Sequence, residues 1–276
     1  MSFSDPQAIQ DGQNGKASYA VEGGVALIRL TNPPANGYSY EMMRDLDEAI
    51  LKARFDDAVQ VIVLAGQGEK FFCAGADISM LNDVTPSFKY AFCLHANETL
   101  LRLEHTAKLV IAALGGHCVG GGLEIALACD LRVARQGSGR CGLPEISLGV
   151  LPGTGGTQRL ARVLGKSKAI EVMARGDLFD YETAEKWGLV NRVVEAEDDA
   201  AFLEEVLDYA RSFCAPKRAA MGVGNIKRAV QTGLEVPLEI GLALERELQA
   251  KLFASHDAKE GIAAFVEKRE AQFEGR

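Results

Sequence analysis

Residues 115–130 of the 276-residue chain read GGHCVGGGLEIALACD and combine two features that are costly in a folded protein. Three consecutive glycines at 120–122 stand directly before an apolar run, and that run contains one acid, Glu124. Glycine loses more conformational freedom on folding than any other residue, and a carboxylate in apolar surroundings loses its hydration. The combination raises the question of which chemistry needs both.

The glycines follow an apolar run that ends at Leu114, which predicts a buried strand, then a tight turn, then a helix. Backbone N–H groups at a helix N-terminus can bind an anion, and glycine lets another molecule approach them closely. Close packing of the helix on the strand also accounts for the glycines. A third interpretation makes Cys118 a nucleophile in the pattern Gly116-x-Cys-x-Gly120, but the only later histidine, His256, lies in a predicted helical tail.

A second acid, Glu145, lies in the Gly/Pro-rich stretch GLPEISLGVLPGTGG, 21 positions after Glu124. Two carboxylates in apolar surroundings can have pKa values pushed apart, which provides one acid and one base near neutral pH. Either glutamate could instead form an ion pair with an arginine such as Arg159 or Arg162, and the sequence leaves both interpretations open.

Strand and helix patterns alternate through the first two thirds of the chain and predict an α/β core. We expect a flexible tail at 1–16, the α/β core at 17–197 and a helical region at 198–276. In the core, a helix over 87–106 has predicted inner positions at Phe88, Phe92, Leu100 and Leu103. In the C-terminal region, helices are predicted at about 198–213, 217–232, 235–254 and 257–273.

The composition excludes several classes of protein. A net charge of −8 disfavours a nucleic-acid-binding protein, and no apolar run approaches the length of a membrane span. Six cysteines without a CxxC pair indicate buried free thiols, and four histidines without HxxxH spacing make a metal site improbable. The polar, acidic start lacks a signal or transit pattern, so we expect a soluble cytoplasmic protein.

Six segments in order resemble the enoyl-CoA hydratase/isomerase (crotonase) family, from about residue 25 to residue 273. They are NPPANGYS, FFCAGADISML, LVIAALGGHCVGGGLEIALACDLRVA, GLPEISLGVLPGTGGTQRLARVLG, AEKWGLVNRVV and EGIAAFVEKREAQF. The resemblance implies a core that is a spiral of ββα turns, followed by a C-terminal helical region used in assembly. The stretch between the two glutamates is one residue longer than usual in the family, and we expect a surface bulge at 137–139 to absorb the extra residue.

The resemblance also implies a reaction centre. Its oxyanion hole for a thioester carbonyl would consist of the backbone N–H groups of Ala76 and Gly121. Hydratases of the family carry glutamate at the positions of Glu124 and Glu145, whereas many isomerases keep only the second. The implied reaction is therefore reversible addition of water to a 2-enoyl-CoA, in which Glu124 activates water and Glu145 delivers a proton.

The implied partners are an acyl-CoA thioester and further copies of the chain, in a homotrimer or a dimer of trimers. Coenzyme A is part of the substrate, and no separate cofactor or metal is expected. The resemblance assigns CoA contacts to six positions, of which the last two often come from a neighbouring subunit: Ala35, Ala74, Asp77, Ile78, Phe265 and Lys268.

Two other functions are compatible with the same segments. One is an isomerase, or a hydratase or lyase specialised for a branched or aromatic acyl-CoA. The other is a non-catalytic protein that binds acyl-CoA. The retained pair Glu124 and Glu145 argues against the second, because a binding protein gains nothing from desolvated carboxylates.

Overall fold

The computed structural model describes residue 3 and residues 9–276, apart from the side chains of Ile78, Ser79 and Leu81. Its core contains two β-sheets, and each of the strands β1 to β11 belongs to one of them. These strands are β1 (Gln10–Asp11), β2 (Ala17–Glu22), β3 (Val25–Leu30), β4 (Val61–Gly66), β5 (Phe71–Cys73), β6 (Leu109–Leu114), β7 (His117–Val119), β8 (Leu131–Arg135), β9 (Arg140–Gly142), β10 (Phe179–Asp180) and β11 (Arg192–Val194).

Helices occupy the connections and the C-terminal third. They are α1 (Tyr40–Phe55), α2 (Ile78–Asp83), α3 (Pro86–Glu104), α4 (Gly121–Leu127), α5 (Gly156–Leu164), α6 (Lys166–Arg175), α7 (Tyr181–Lys186), α8 (Asp199–Arg211), α9 (Ala220–Gly233), α10 (Leu238–Phe253) and α11 (His256–Glu267). None of the helices in the described part of the chain combines the length and the apolar character that a membrane span requires.

From β4 to β9, consecutive strands alternate between the two sheets. The seven-stranded sheet has the order β1-β2-β3-β4-β6-β8-β11, and the four-stranded sheet has the order β10-β9-β7-β5. Each of the pairs β4/β5, β6/β7 and β8/β9 therefore places one strand in each sheet before the chain enters a helix. Neighbouring turns pair in parallel, as β4 does with β6 and β5 with β7. This arrangement confirms the predicted α/β fold built as a ββα spiral.

The central strands β4 and β6 of the large sheet are buried on both faces, which explains why their sequences are continuously apolar. In β4, Ile62 and Leu64 face the cluster that holds α1, α3 and α4, whereas Val61 and Val63 face the cluster formed with α8. The inner positions of α3 follow the prediction except at its first turn. Phe92, Leu100 and Leu103 are buried, but Phe88 is 41% exposed because it precedes the part of the helix that reaches the core.

Two of the three glycines at 120–122 are required for packing. A Cβ atom on Gly122 would overlap the backbone carbonyl of Cys73 at the end of β5, and one on Gly121 would overlap the ring of Tyr38. Close packing of α4 on β5 and on Tyr38 therefore explains the glycines at these two positions. It does not exclude a role for their N–H groups.

The ends of the chain depart from simple helix and tail patterns. A flexible tail is predicted over 1–16, but Gln10 and Asp11 pair with β2, so the chain joins the sheet from residue 10. Residues 1, 2 and 4–8 of this segment lie outside the described residues. The last helix ends at Glu267 rather than at 273, because Lys268 adopts a left-handed conformation with φ 55°. The chain then turns back onto the carboxylate of Asp257, which accepts hydrogen bonds from the amides of residues 274 and 275.

The close approach of α4 to β5 gives a stability prediction. Gly122→Ala is expected to destabilise the protein by about 3 kcal/mol, because the carbonyl that the new methyl group meets belongs to the backbone and cannot rotate away. For a chain of this size the apparent melting temperature should fall by about 8 °C, measured by thermal denaturation.

A matched control is Gly222→Ala, on α9, where the new Cβ would meet only the Cβ of Ala219 at 3.7 Å. Alanine favours the helix, so this variant should be as stable as the wild type or more stable by about 0.5–1 kcal/mol. Equal melting temperatures for the two variants would contradict the packing described for α4.

Candidate active site

A cavity of about 640 Å³ lies where the loop after β5, the start of α4 and the loop after β9 meet. It is lined by all four residues that the sequence predicts for the reaction centre, Ala76, Gly121, Glu124 and Glu145. The remainder of its wall is largely apolar and includes Tyr38, Val84, Pro86, Val119, Leu148, Val150 and Leu151.

The loop after β5 presents the amide of Ala76 to this cavity. Tyr38 fixes the loop on both sides of that amide, since its N–H donates to the carbonyl of Gly75 at 2.9 Å and its carbonyl accepts from the N–H of Asp77 at 3.2 Å. The φ of Gly75 is +90°, which favours glycine at this turn. Among the described residues, the Ala76 N–H has no acceptor.

The amide of Gly121 is the first N–H of α4. The residue before it, Gly120, has φ +55° and donates its own N–H to the carbonyl of Gly142 at 2.8 Å. No side chain caps the helix, so the Gly121 N–H has no partner within the described part of the chain. The two loops are in close contact, because a Cβ on Gly75 would lie only 3.2 Å from the Gly121 nitrogen. Two unpaired amides therefore lie side by side at the cavity.

Glu124 lies one helical turn into α4 and is 1% exposed. Its Oε1 accepts hydrogen bonds from the backbone N–H groups of Thr154 at 2.8 Å and Gly156 at 2.7 Å, and its Oε2 accepts one from the hydroxyl of Thr154. These three donors replace the water that a buried carboxylate loses. The loop 152–156 thus holds the Glu124 carboxylate in one orientation.

Glu145 has a different environment at the start of a 3₁₀ helix, Glu145–Leu148. Its Oε2 is buried and has no hydrogen-bond partner among the described residues. Burial raises the pKa of the Glu145 carboxyl to about 7, its own backbone amide opposes this shift, and the negative charge of Glu124 adds to it. Near neutral pH this side chain can therefore both hold and release a proton.

The structure excludes the two other interpretations of these motifs. Arg159 pairs with Glu104 at 2.6 Å, and Arg162 pairs with Glu235 at 2.9 Å, so neither arginine is the partner of Glu124 or Glu145. Cys118 is fully buried in β7, and burial raises its thiol pKa well above the usual value, so it cannot serve as an exposed nucleophile.

The extra residue between the two glutamates does not displace Glu145 from the cavity. The predicted bulge positions lie in the turn that joins β8 to β9, where Gly137 has φ +65° and a Cβ added to it would have no atom within 4 Å. Glu145 lines the cavity together with Glu124, and the role of 137–139 in absorbing the extra residue stays a prediction.

The predicted CoA contacts on the loops lie at or near the cavity. Ala74 lines it, and the carbonyl of Ala35 accepts the Ala74 N–H at 3.0 Å, which ties the two loops together. Asp77 lines a separate, smaller pocket with Lys16. The side chain of Ile78 lies outside the described residues.

Phe265 and Lys268 are not brought to the cavity within one chain. Phe265 is 85% exposed on α11, and Lys268 is the exposed residue that ends this helix. Neither is among the residues that line the cavity. The predicted role of both in CoA binding stays a prediction that requires a neighbouring subunit.

Three residues of the site are not among those predicted from the sequence. Tyr38 anchors the Ala76 loop and reaches Thr154, whose hydroxyl lies 3.3 Å from its own. Thr154 holds Glu124, and Lys89 lines the cavity beside Glu145. The PGTGG segment itself offered a signal, because a threonine between glycines near a buried acid provides both an amide and a hydroxyl.

The profile of the enoyl-CoA hydratase/isomerase family matches residues 20–276. The chain is 44% identical to the "Probable enoyl-CoA hydratase" of Rhizobium meliloti, with 92% of this chain and 96% of that protein covered. It is 35% identical to the short-chain-enoyl-CoA hydratase of Clostridium acetobutylicum, with 91% and 94% covered. The crystal structure of an enoyl-CoA hydratase from Geobacillus kaustophilus superposes with a TM-score of 0.90 at 44% identity, with 95% and 97% covered. The chain therefore belongs to the enoyl-CoA hydratase/isomerase family, and its fold is the crotonase fold.

The contrast between the two carboxylates gives a measurable prediction. In protein labelled with ¹³C-glutamate, one carboxyl signal should titrate at about pH 7, because burial without a hydrogen-bond partner for Oε2 disfavours the charged form of Glu145. The signal is measured by NMR between pH 4 and pH 9 and should be absent from Glu145→Gln. A wild-type spectrum in which every glutamate has titrated by about pH 5, close to the unperturbed value, would contradict the described environment.

Proposed function

We propose that the protein is an enoyl-CoA hydratase, which adds water reversibly across the 2,3 double bond of an enoyl-CoA thioester. One observation carries this proposal: a single cavity is lined by two residues with unpaired amides and by two carboxylates in contrasting environments, of which Glu124 is buried and Glu145 is half-buried. The printed names of the relatives, which include a short-chain-enoyl-CoA hydratase and a crotonyl-CoA hydratase, support the same reaction.

The amides of Ala76 and Gly121 would accept the thioester carbonyl. Water that attacks C3 of the enoyl group pushes the electrons of the double bond toward the carbonyl, so negative charge develops on the thioester oxygen. Two N–H groups that are already oriented and not otherwise paired stabilise that charge, and one such donor is worth about 3 kcal/mol in comparable sites. The substrate carbonyl itself carries less charge, so the stabilisation favours the transition state.

Glu124 would act as the base that takes a proton from the attacking water. Its carboxylate accepts three hydrogen bonds from the chain, and a carboxylate offers about four acceptor sites, so one site is left for the water. As the water oxygen bonds to C3, its proton passes to Glu124 and the C2–C3 π electrons move into the enolate.

Glu145 would act as the acid that protonates C2. Its raised pKa of about 7 keeps a substantial protonated fraction near neutral pH. When the enolate collapses, C2 takes the proton of Glu145 and the thioester carbonyl is restored. One proton then has to leave Glu124 and one has to return to Glu145, which exchange with solvent after product release accomplishes.

The CoA part of the substrate would extend from the cavity along Ala35, Ala74, Asp77 and Ile78, as the family resemblance implies. Ala74 on the cavity wall and its hydrogen bond to Ala35 support this path. Phe265 and Lys268 would complete the site from a neighbouring subunit. The reaction uses proton transfer and amide dipoles alone, so we propose that it needs no metal or other cofactor.

We further propose that the chain assembles as a trimer or a dimer of trimers in the cytoplasm. The C-terminal helices support the assembly, because they expose large apolar side chains, among them Ile226, Val230, Leu234, Leu238 and Phe265. Apolar surface of this extent is usually covered by a partner. The cytoplasm is supported by the six cysteines, all of which are free thiols.

The two alternative functions are less well supported. An isomerase or a non-catalytic binding protein would not need both carboxylates in the cavity, and the relatives reported above carry hydratase names. The first activity to test is therefore the hydration of a short straight-chain enoyl-CoA.

Exchanging either carboxylate for an amide tests the proposed reaction. Glu124→Gln and Glu145→Gln should each lower kcat for hydration of crotonyl-CoA by about 10²–10⁴-fold, because an amide can neither accept the water proton nor deliver one to C2. The rate is measured by loss of the enoyl thioester absorbance, with the product identified by mass. The control is Glu48→Gln, an exposed residue of α1, which should keep wild-type activity. Near-normal hydration by both folded cavity variants would refute the proposal.

Light scattering after size exclusion tests the proposed assembly. The expected mass is about three or six times that of the 29.6 kDa chain. Leu234→Asp should dissociate it, because Leu234 is 75% exposed in one chain on the apolar surface of the C-terminal helices. Phe55→Asp is the matched control, since Phe55 is 80% exposed on α1 of the core, and its mass should not change. A monomeric wild-type protein would contradict the assembly.

A further inference from the structure

Two buried hydroxyl groups continue the hydrogen bonds of Glu124 into the protein. Thr154 is 2% exposed and Tyr38 is 3% exposed. The Thr154 hydroxyl donates to Oε2 of Glu124, and the Tyr38 hydroxyl lies 3.3 Å from the Thr154 oxygen. A hydroxyl has one proton, and that of Thr154 is already used on the carboxylate. Tyr38 is therefore the donor to Thr154, and the chain runs from Tyr38 through Thr154 to Glu124.

The hydroxyl chain determines which part of the Glu124 carboxylate is available to a ligand. Oε1 accepts two backbone hydrogen bonds, from Thr154 and Gly156, which uses its two acceptor positions. Oε2 accepts only the Thr154 hydroxyl, so its second position is the one left. Without that hydroxyl, Oε2 would lose its hydrogen bond, and the carboxylate would be held only by the two backbone bonds to Oε1.

Tyr38 is itself held in place from several sides. Its ring stacks on Phe92 with the centroids 5.4 Å apart, and it packs so closely on Gly121 that a Cβ there would overlap it. Its backbone fixes the Ala76 loop. Burial, followed by the charge of Glu124, raises the pKa of the Tyr38 phenol well above its usual value, so the group stays protonated and remains a donor.

We infer that Thr154, oriented by Tyr38, is a positioning residue that directs the free acceptor position of Glu124 Oε2 toward the attacking water. This inference rests on the proposed hydratase function and deepens it. The threonine hydroxyl and the tyrosine do not touch the substrate's reacting atoms. They set the angle from which the base receives the proton, and small errors in such angles reduce the rate of the chemical step more than they reduce binding.

Removal of the threonine hydroxyl tests the inference. Thr154→Val should lower kcat for crotonyl-CoA hydration by about 10–100-fold while KM stays within about threefold, because binding does not depend on the carboxylate angle. Thr154→Ser restores the hydroxyl and should recover kcat to within about threefold of the wild type. The matched control is Thr99→Val, which removes an equally buried hydroxyl that has no partner in the described structure, and its kcat should not change.

Removal of the tyrosine hydroxyl tests whether Tyr38 acts on Glu124 through Thr154. Tyr38→Phe keeps the ring and should lower kcat by about 3–10-fold, because the Thr154 hydroxyl then lacks its orienting donor. Introduced into Thr154→Val, the same change should have no further effect, since Tyr38 acts only through Thr154. Tyr181→Phe removes another buried phenol hydroxyl, one that donates to the Gly116 carbonyl outside the cavity, and should leave kcat unchanged.

The outcomes separate this inference from the function on which it rests. If the wild type hydrates crotonyl-CoA and Thr154→Val has the same kcat, the positioning role is overturned while the proposed function stands. If Tyr38→Phe lowers kcat equally in the presence and absence of the Thr154 hydroxyl, Tyr38 does not act through Thr154, and that part of the inference is overturned. A wild type that hydrates no enoyl-CoA would overturn the function and this inference together. If Thr154→Val does not fold, the smaller substitution Thr154→Ala removes the same hydroxyl, and Tyr38→Phe should then lower kcat in the wild-type background but not in the Thr154→Ala background.

Discussion

The burial of one carboxylate, that of Glu124, constrains the rest of the site. Removing an ion from water costs on the order of several kcal/mol, and the chain offsets this cost with three hydrogen-bond donors from one loop. The loop must therefore lie directly on α4, and glycine is favoured at residue 156, because a Cβ there would lie 2.8 Å from Leu143 Cδ1, 2.9 Å from Pro152 Cβ and 3.0 Å from Glu124 Oε1. The same closeness leaves the first amide of α4 at the wall of a cavity that Glu145 also lines. The two acids therefore have different environments: Glu124 accepts three hydrogen bonds, whereas Oε2 of Glu145 has no partner among the described residues.

Much of this arrangement could be predicted from the sequence, because it depends on local patterns. Continuous apolar runs identified the buried strands β4 and β6, and the glycines at 120–122 placed a turn before α4. The pairing of Ala76, Gly121, Glu124 and Glu145 in one cavity was implied by the family resemblance, whose segments occur in the same order as the turns of the spiral.

Other features could not be predicted, because they depend on contacts between distant parts of the chain. Tyr38 and Thr154 are 116 positions apart, and nothing in either segment indicates that their hydroxyl groups meet. The end of α11 at Glu267 is set by contacts of the last residues with Asp257, whereas the helical pattern continues to 273. Phe88 fits the apolar period of α3, yet the core does not extend to the first turn of that helix. The pairing of Arg159 with Glu104 likewise depends on how α5 packs against α3.

The central claim is that two amides and two carboxyl groups converge on one acyl thioester. A crystal structure of the protein with a CoA thioester that cannot be hydrated tests this claim most directly. The account predicts the thioester oxygen at about 2.7–3.1 Å from both the Ala76 and Gly121 nitrogens, with C2 and C3 of the acyl group between Glu124 and Glu145. A thioester bound in the cavity with its carbonyl directed away from both amides, or bound elsewhere on the protein, would contradict the account.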